Sequence, residues 1–218
     1  VLTTATTSPA FAITPGLATK VAFTTQPSAS TVAGSAFATQ PVVTVQDANG
    51  NTVTGSTASV TLTLSTGTGT LGGTATMNAV AGVADFAGKG LNISLVGTNK
   101  VLTATSGVLV TATTSPAFTI TPGAASKVVF TTQPSASTAA GTAFATQPVV
   151  TVQDANGNTV TGSTASVTLT LTTGTGTLGG TATMDAVAGV GGSSVPTLDV
   201  NTEEMSRALT GERVVLSV

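Results

Sequence analysis

Hydrophobic and polar residues alternate along several short stretches of this chain, with the period of two that is typical of β-strands. The apolar positions of three such stretches are Val43 and Val45, then Val60, Leu62 and Leu64, then Leu91, Ile93 and Leu95. Threonine, asparagine, serine and glutamine stand between them. The alternation predicts strands with one buried and one wet face, as in antiparallel sheets, and the abundance of Thr and Val disfavours helix.

A long stretch of this pattern is duplicated. QPVVTVQDANGNTVTGSTASVTLTL occupies residues 40–64 and returns at 147–171, an offset of 107 residues. The duplication extends further, because residues 1–83 and 108–190 align without a gap and differ at about ten positions. In each copy Asp-Ala-Asn-Gly-Asn joins two strand-like runs, and the Asn-Gly pair predicts a turn between them. The chain is therefore a tandem repeat of domain-sized units.

Pro-Gly pairs at 15–16 and 122–123 mark the joints between units, since both residues break regular structure. Short strands with a turn signal about every 8 to 12 residues predict a β-sandwich for each unit. We expect the last strand of a preceding repeat plus a linker at 1–19, a complete domain at 20–121, a linker at 122–126, a partial domain at 127–190 and a divergent tail at 191–218. The chain is thus expected to begin inside a longer array.

The phenylalanines fall in apolar strand contexts, and most of them recur at equivalent positions of the two copies. They are Phe11, Phe23, Phe37, Phe86, Phe118, Phe130 and Phe144. We expect all of them to lie in the core, because large aromatic side chains dominate the burial of apolar area.

The last 28 residues abandon the repeat and hold six of the fourteen charged residues, which indicates a foreign or junction segment. Asn201 and Glu204 resemble a capping box that opens a short helix to about Leu209. Strand-like TLDV and RVVLSV flank it, so the tail is predicted to be β-α-β-like. The partial domain leaves open backbone edges, which the tail, a neighbouring domain or a strand from another chain must cover. Residues 1–14 match one of the missing strands, and strand exchange between copies is one such device.

Charge and composition exclude several classes of function. Charged residues make up 6% of the chain, against about 25% in typical domains, and residues 1–190 are formally neutral. A neutral surface does not attract nucleic acid or anionic lipid, and no apolar run is long enough for membrane insertion. The chain has no Cys, His, Trp or Tyr, which removes thiolate metal sites, the commonest general base and the usual stacking platforms. We expect no catalysis and no cofactor.

The sequence resembles the bacterial Ig-like repeats of large surface proteins, in the group that includes the invasin and intimin type. TVQDANGNTVTGS, the GTGTL turn, AGVADF at 81–86 and the closing KVLTATSG carry the resemblance. It covers residues 20–121 fully and 127–190 partly. It implies an all-β fold of tandem immunoglobulin-like sandwiches, the second incomplete, in extended extracellular stalks, fibres or adhesins where most repeats act as spacers.

One candidate metal site stands in the duplicated turn. Its oxygen-bearing residues are Asp47, Asn49 and Asn51, with Asp154, Asn156 and Asn158 as counterparts. Alternate oxygen ligands open a calcium loop of the EF-hand type, but that loop needs glycine at its sixth and glutamate at its twelfth position, where Thr52 and Ala58 stand. A turn stabilised by Asx hydrogen bonds explains the same residues, so we predict no metal.

Three further patterns have structural explanations. The Thr-rich strand SVTLTLSTGTGTL could present an ice-binding ladder or accept O-glycans, although threonine also suits a solvent-facing strand. Lys20, Lys89 and Lys100 with nearby asparagines could form an isopeptide bond, which would need a buried acid such as Asp47 or Asp85. GTGTLGG lacks the Gly-Lys-Ser/Thr and the following helix of a phosphate loop.

The sequence thus predicts a secreted or cell-surface structural module whose partners are neighbouring repeats of the same protein. Near-identical copies suit a spacer, because each unit adds a fixed length. Two alternatives stay open. The first is an adhesin module that binds a surface glycan or protein through loops at one end of a sandwich. The second is a self-assembling filament or virion-decoration subunit completed by strand donation.

Overall fold

The computed structural model describes residues 9–113, 117–174, 176–192, 198–201 and 215–217. Regular structure in these ranges consists of β-strands. The chain forms two compact units, the first built mainly from residues up to Ile120 and the second mainly from Thr121 onward. A search of the described residues for a helix long and apolar enough to cross a membrane finds none.

The described residues of the first unit form eleven strands. They are β1 (Lys20–Thr25), β2 (Ser30–Val32), β3 (Val42–Gln46), β4 (Ser59–Thr66), β5 (Leu71–Gly72), β6 (Thr76–Asn78), β7 (Val83–Asp85), β8 (Asn92–Ile93), β9 (Gly97–Thr105), β10 (Ala112–Thr113) and β11 (Phe118–Thr121). One sheet has the order β1-β3-β7, and the other has the order β2-β11-β9-β4-β6 with β10 also paired to β9. A short β5-β8 pair completes the unit.

The core of the first unit lies between these sheets, and the predicted alternation places it correctly. Val43 and Val45 of β3, Val60 and Leu62 of β4, and Ile93 of β8 are buried. Threonine occupies the outward positions of β4, which are half-buried or exposed. The all-β, immunoglobulin-like sandwich predicted from the sequence is confirmed, and its stability comes from apolar area removed from water on the inner faces of both sheets.

Two expectations about the core are wrong at single positions. Phe11 is 80% exposed, because residues 9–14 form no strand and so have no sheet to pack against. Leu95 is exposed, since β8 ends at Ile93 and the alternation does not continue through it. Phe37, Phe86, Phe118 and Phe144 are buried as expected, while the two phenylalanines of the first strands of the units are half-buried.

The strands on either side of the duplicated turn do not pair with each other. β3 pairs with β1 and β7, whereas β4 pairs with β6 and β9. Beyond the turn, Thr52 makes a single bridge to Gln46 before the chain crosses to the other sheet. The Asn-Gly turn therefore begins a crossover between two sheets rather than a hairpin within one.

The second unit repeats part of the strand pairing of the first unit. Its strands are β12 (Lys127–Thr132), β13 (Val149–Gln153), β14 (Ser166–Thr168), β15 (Thr170–Thr173), β16 (Thr177–Gly179), β17 (Thr183–Asp185), β18 (Val190–Gly192), β19 (Asp199–Asn201) and β20 (Val215–Ser217). β12, β13 and β18 pair in the same order and register as β1, β3 and β7. The duplicated sequence therefore forms the same sheet twice.

Strands from the C-terminal tail pair within the second unit. β19 pairs with β16, and β20 pairs with β15. Leu198, just before β19, is buried and accepts hydrogen bonds from the Phe144 amide (2.9 Å) and the Gln147 side chain (3.1 Å). In the first unit Leu91 is bonded in the same way by Phe37 and Gln40. Asn201, the predicted helix cap, is the last residue of β19, and the rest of the predicted helix up to Leu209 lies outside the described residues.

Candidate functional site

The duplicated turn follows directly on β3. The Asp47 amide donates to the Asn51 carbonyl (3.0 Å), and the Gly50 amide donates to the Asp47 carbonyl (3.1 Å). Gly50 has a φ of 89°, in the left-handed region that glycine adopts at little cost. The Asn-Gly pair therefore lets the chain reverse within five residues and return beside the end of β3.

The Asp47 carboxylate is the centre of this turn and accepts four hydrogen bonds. Oδ1 accepts from the backbone amides of Asn49 and Asn51, both at 2.9 Å. Oδ2 accepts from the Asn51 side-chain amide at 3.0 Å and from the Gly16 backbone amide at 2.9 Å. Gly16 belongs to the linker before β1, so the aspartate connects its own turn to the segment that leads into the unit.

The second unit contains the same arrangement. Asp154 accepts from the backbone amides of Asn156 and Asn158, from the Asn158 side chain and from the backbone amide of Gly123. Each of these four contacts measures 2.9 Å. Gly123 lies in the linker before β12, at the position equivalent to Gly16. The contact between aspartate and linker is therefore a property of the repeat.

Hydrogen bonds to a carboxylate favour its charged form and lower its pKa. The Asn51 side chain, followed by the Gly16 and Asn51 backbone amides, lowers the pKa of Asp47 to about 2. Burial acts to raise the pKa of Asp154, and the hydrogen bonds from Asn158 and the linker outweigh burial, so that this pKa is also lowered. Both aspartates carry a full negative charge at neutral pH.

The structure brings the candidate metal ligands together, but Asn49 and Asn51 act as hydrogen-bond donors to the Asp47 carboxylate. Backbone and side-chain N–H groups point at both carboxylate oxygens, where a cation would need oxygen ligands. No group of three Asp, Glu, His or Cys suited to a metal ion occurs among the described residues. The contacts favour the Asx turn, and the absence of a metal stays a prediction.

No residue near either position indicates that Asp47 reaches Gly16, which lies 31 residues away. The available signal was the joint duplication of Pro-Gly and Asp-Ala-Asn-Gly-Asn at a constant separation. Two further bonds hold the same segments together, from Thr19 to the Gln46 carbonyl (2.9 Å) and from Ser126 to the Gln153 carbonyl (2.8 Å). Each linker therefore runs along the end of its unit's central strand.

Lys100 is the most deeply buried of the three lysines considered for an isopeptide bond, with 1% of its surface exposed. Its Nζ donates to the Thr68 carbonyl in the glycine-rich turn after β4, and burial lowers the pKa of the amine. A Cβ on Gly67 would lie 2.6 Å from the lysine chain, so glycine leaves room for it. Lys20 instead approaches the Ala48 carbonyl at the turn, at 3.4 Å. The isopeptide bond stays untested.

The threonine ladder lies on the outer face of the β6-β4-β9 sheet. Thr61 stands opposite Thr105 and Thr76, and Thr63 stands opposite Thr103. The Thr61 and Thr76 hydroxyls are 3.0 Å apart, a cross-strand pair of the kind that stabilises sheets. These side chains alternate with buried leucine and alanine, so the solvent-facing position of each strand accounts for the ladder.

The aspartate contact leads to a prediction about acid stability. Because the pKa of Asp47 is about 2 in the folded chain and the pKa of an ordinary aspartate is about 3.9, the unfolded chain binds more protons between these values. The contribution of Asp47 is therefore fully present above about pH 4 and is lost as pH falls towards 2. We expect Asp47→Asn to remove part of this acid dependence and to speed exchange of the Gly16 amide, because an amide nitrogen would face two donors.

Thermal unfolding between pH 2 and 7 and amide exchange measured by NMR would test this prediction. Asp85→Asn is the matched control, since the Asp85 carboxylate accepts a bond from the nearby Ala87 amide (2.9 Å) and touches no linker. Unchanged exchange at Gly16 in Asp47→Asn would show that the carboxylate does not hold the linker.

Comparison with known proteins gives structural neighbours. No protein-family model matches the chain, and the curated proteins contain no match. The chain is similar to the D0-D1 domain of intimin, at 17% identity and a TM-score of 0.32 over 86% of each chain. It is similar to invasin, a bacterial integrin-binding protein, at 16% identity and a TM-score of 0.33 over 90% of this chain and 35% of that one.

A third neighbour is InvD of Yersinia pseudotuberculosis, at 19% identity and a TM-score of 0.33 over 94% of this chain and 64% of that one. Intimin and invasin are the types that the repeat resembles in sequence.

Proposed function

We propose that this chain is a structural spacer of an extracellular bacterial surface protein, built from tandem immunoglobulin-like units and without catalytic activity. The observation that carries the proposal is the bond from linker to aspartate, which occurs in both units with the same length. Each unit binds the linker that precedes it through this aspartate. The bonded part of the linker therefore has little conformational freedom. A spacer needs this property, because a freely jointed chain of domains adds little reach.

The surface and composition support the same role. Residues 1–190 are formally neutral, and the described residues contain no cluster of acids that could hold a metal. General-base histidine and nucleophilic cysteine are missing from the sequence, which disfavours the usual activated nucleophiles. A cell-surface location and neighbouring repeats as partners belong to this proposal.

The distance between two spin labels, one on each unit, tests the proposal in the intact chain. The width of the distribution of this distance reports how freely the units move. Cysteine is absent from the sequence, so spin labels can be placed on Val80→Cys and Val187→Cys, two exposed positions. We expect a narrow distribution by pulsed electron resonance, and a broader one after Asp154→Asn releases Gly123. Asp185→Asn, at an exposed position of β17, is the control and should leave the width unchanged.

A broad distribution in the unmodified chain would contradict the spacer proposal. Saturable binding of the chain to a glycan array or to host cells would favour the adhesin alternative instead, since a spacer has no ligand of its own. The two measurements are independent, and a rigid chain without saturable binding is the outcome that the proposal requires.

A further inference from the structure

An early strand and the last strand of the first unit lie side by side. β2 is the neighbour of β11 in the larger sheet. The Thr119 amide donates to the Ala29 carbonyl at 2.9 Å, and the Ala33 amide donates to the Thr121 carbonyl at 2.8 Å. The bonded positions rise together along both segments, whereas in an antiparallel pair one would rise as the other fell. β2 and β11 are therefore parallel.

A second parallel contact lies where the chain enters the unit. Lys20, the first residue of β1, forms a parallel bridge with Val110. The Val110 amide donates to the Thr19 carbonyl at 2.9 Å, and the Val21 amide donates to the Val110 carbonyl at 3.0 Å. β10, which begins two residues after Val110, and β11 both run antiparallel to β9. The entering segments β1 and β2 therefore run in the same direction as the segments that lead out of the unit.

This arrangement determines how a pull on the chain acts on the unit. In a parallel pair the beginning of one strand and the end of the other lie at opposite ends of the pair. A pull from the linkers on both sides therefore draws the two strands past each other along their length. The hydrogen bonds between them are stretched together and are not broken one after another. Breaking several bonds at once requires crossing a higher barrier than breaking one, and this barrier governs forced unfolding.

The pair of β2 and β11 is also shielded from water. Thr31 of β2 is buried, as are Phe118 and Ile120 of β11. The Phe118 ring packs edge-on against Phe37, with centroids 5.4 Å apart and planes at 74°, a favourable aromatic geometry. Hydrogen bonds are stronger in such low-dielectric surroundings. Burial therefore adds to the resistance of this pair.

We propose that the first unit is a mechanical clamp, which keeps its fold when the chain is pulled from both sides. The clamp consists of β2 paired with β11 and of residues 19–21 paired with Val110. It adds resistance to tension to the proposed spacer role, which concerns the reach of the chain without load.

Single-molecule pulling in two directions tests the clamp in the full chain. Cysteine is absent from the sequence, so handles can be attached at pairs of exposed positions. Leu17→Cys with Ala125→Cys loads the unit from both sides. Leu17→Cys with Val108→Cys pulls at one end of the entry pair, because both positions precede the bridge between Lys20 and Val110.

The first direction stretches the bonds of the clamp together, and the second opens the entry pair from its end. Because forced unfolding follows the unfolding barrier, we expect a mean unfolding force at least about twofold higher in the first direction. Similar forces in the two directions, or a lower force along the chain, would overturn the proposal.

A variant of the clamp gives a second test. Thr119→Pro removes the bond to the Ala29 carbonyl, since proline has no N–H. Thr74→Pro is the matched control, because the Thr74 amide donates to the Lys89 carbonyl at 3.0 Å and this bond joins neither the entry nor the exit of the unit. Pulled from both sides, Thr119→Pro should unfold at a lower force than the parent chain, and Thr74→Pro should keep the parent force.

Equal losses of unfolding force in the two proline variants would contradict the clamp. The comparison of pulling directions leaves both parallel pairs intact, so it decides the proposal even where Thr119→Pro does not fold. Both measurements apply load, whereas the spin-label distances that test the spacer role are measured without load. The two proposals can therefore fail separately.

Discussion

Replacing Phe86 by alanine is expected to lower the free energy of unfolding of the first unit by about 3–5 kcal/mol. The Phe86 side chain is fully buried, and its backbone amide is bonded to the Pro41 carbonyl at 3.2 Å. Its removal costs the burial of a large aromatic surface and leaves a cavity, because packed cores relax only in part. For a unit of about a hundred residues this corresponds to a fall in melting temperature of more than about 10 °C.

Calorimetry of the full chain would show this effect as a shift of one unit's transition. Phe11→Ala is the control, since Phe11 is mostly exposed and its truncation should change stability by less than about 0.5 kcal/mol. A similar loss in both variants would mean that the sandwich core is not where the structure places it.

Replacing Gly82 by alanine is expected to cost at least about 2 kcal/mol, although it adds a single methyl group. Gly82 has a φ of 77°, and an added Cβ would lie 2.5 Å from the Val53 carbonyl oxygen. The glycine amide and carbonyl are both bonded, to the Ser56 carbonyl and the Val45 amide. The backbone therefore cannot move away from the clash without losing these bonds.

Gly88→Ala separates the two causes. Gly88 has a similar φ of 70°, and nothing lies within 4 Å of its added Cβ, so the left-handed backbone alone should cost about 1 kcal/mol. Chemical denaturation of both variants would measure the difference. Equal losses of stability in the two variants would show that the Val53 carbonyl moves aside for the methyl group. The close approach of Gly82 to Val53 would then not be a fixed feature of the fold.

The periodic pattern was sufficient to predict which side chains form the core. Val43, Leu62 and Ile93 are buried because period-two alternation reports the inner face of a strand wherever it sits. The pattern was insufficient for pairing, since a strand alternates in the same way whichever neighbour it has. Local turn chemistry suggested that β3 and β4 are adjacent, and the structure places them in different sheets.

Contacts between residues that are far apart in the sequence could not be predicted from local sequence patterns. The bond from Gly16 to Asp47 depends on how the linker passes the end of β3, which no residue near either position reveals. The tail shows a related limit. TLDV was predicted to be strand-like, but the equivalence of Leu198 with Leu91 emerges from their shared bonds to a glutamine and a phenylalanine. Comparing the tail with the repeat at the same offset of 107 residues would have revealed it.

The conformation of the two Asn-Gly turns also affects how fast their asparagines deamidate. In an unstructured peptide the backbone nitrogen that follows an asparagine attacks its side chain, and deamidation slowly follows; asparagine is for this reason a thermolabile residue. In both turns that nitrogen belongs to a glycine whose N–H is engaged with the aspartate carbonyl at 3.1 Å. Asn49 and Asn156 should therefore persist far longer than asparagines in a loose loop.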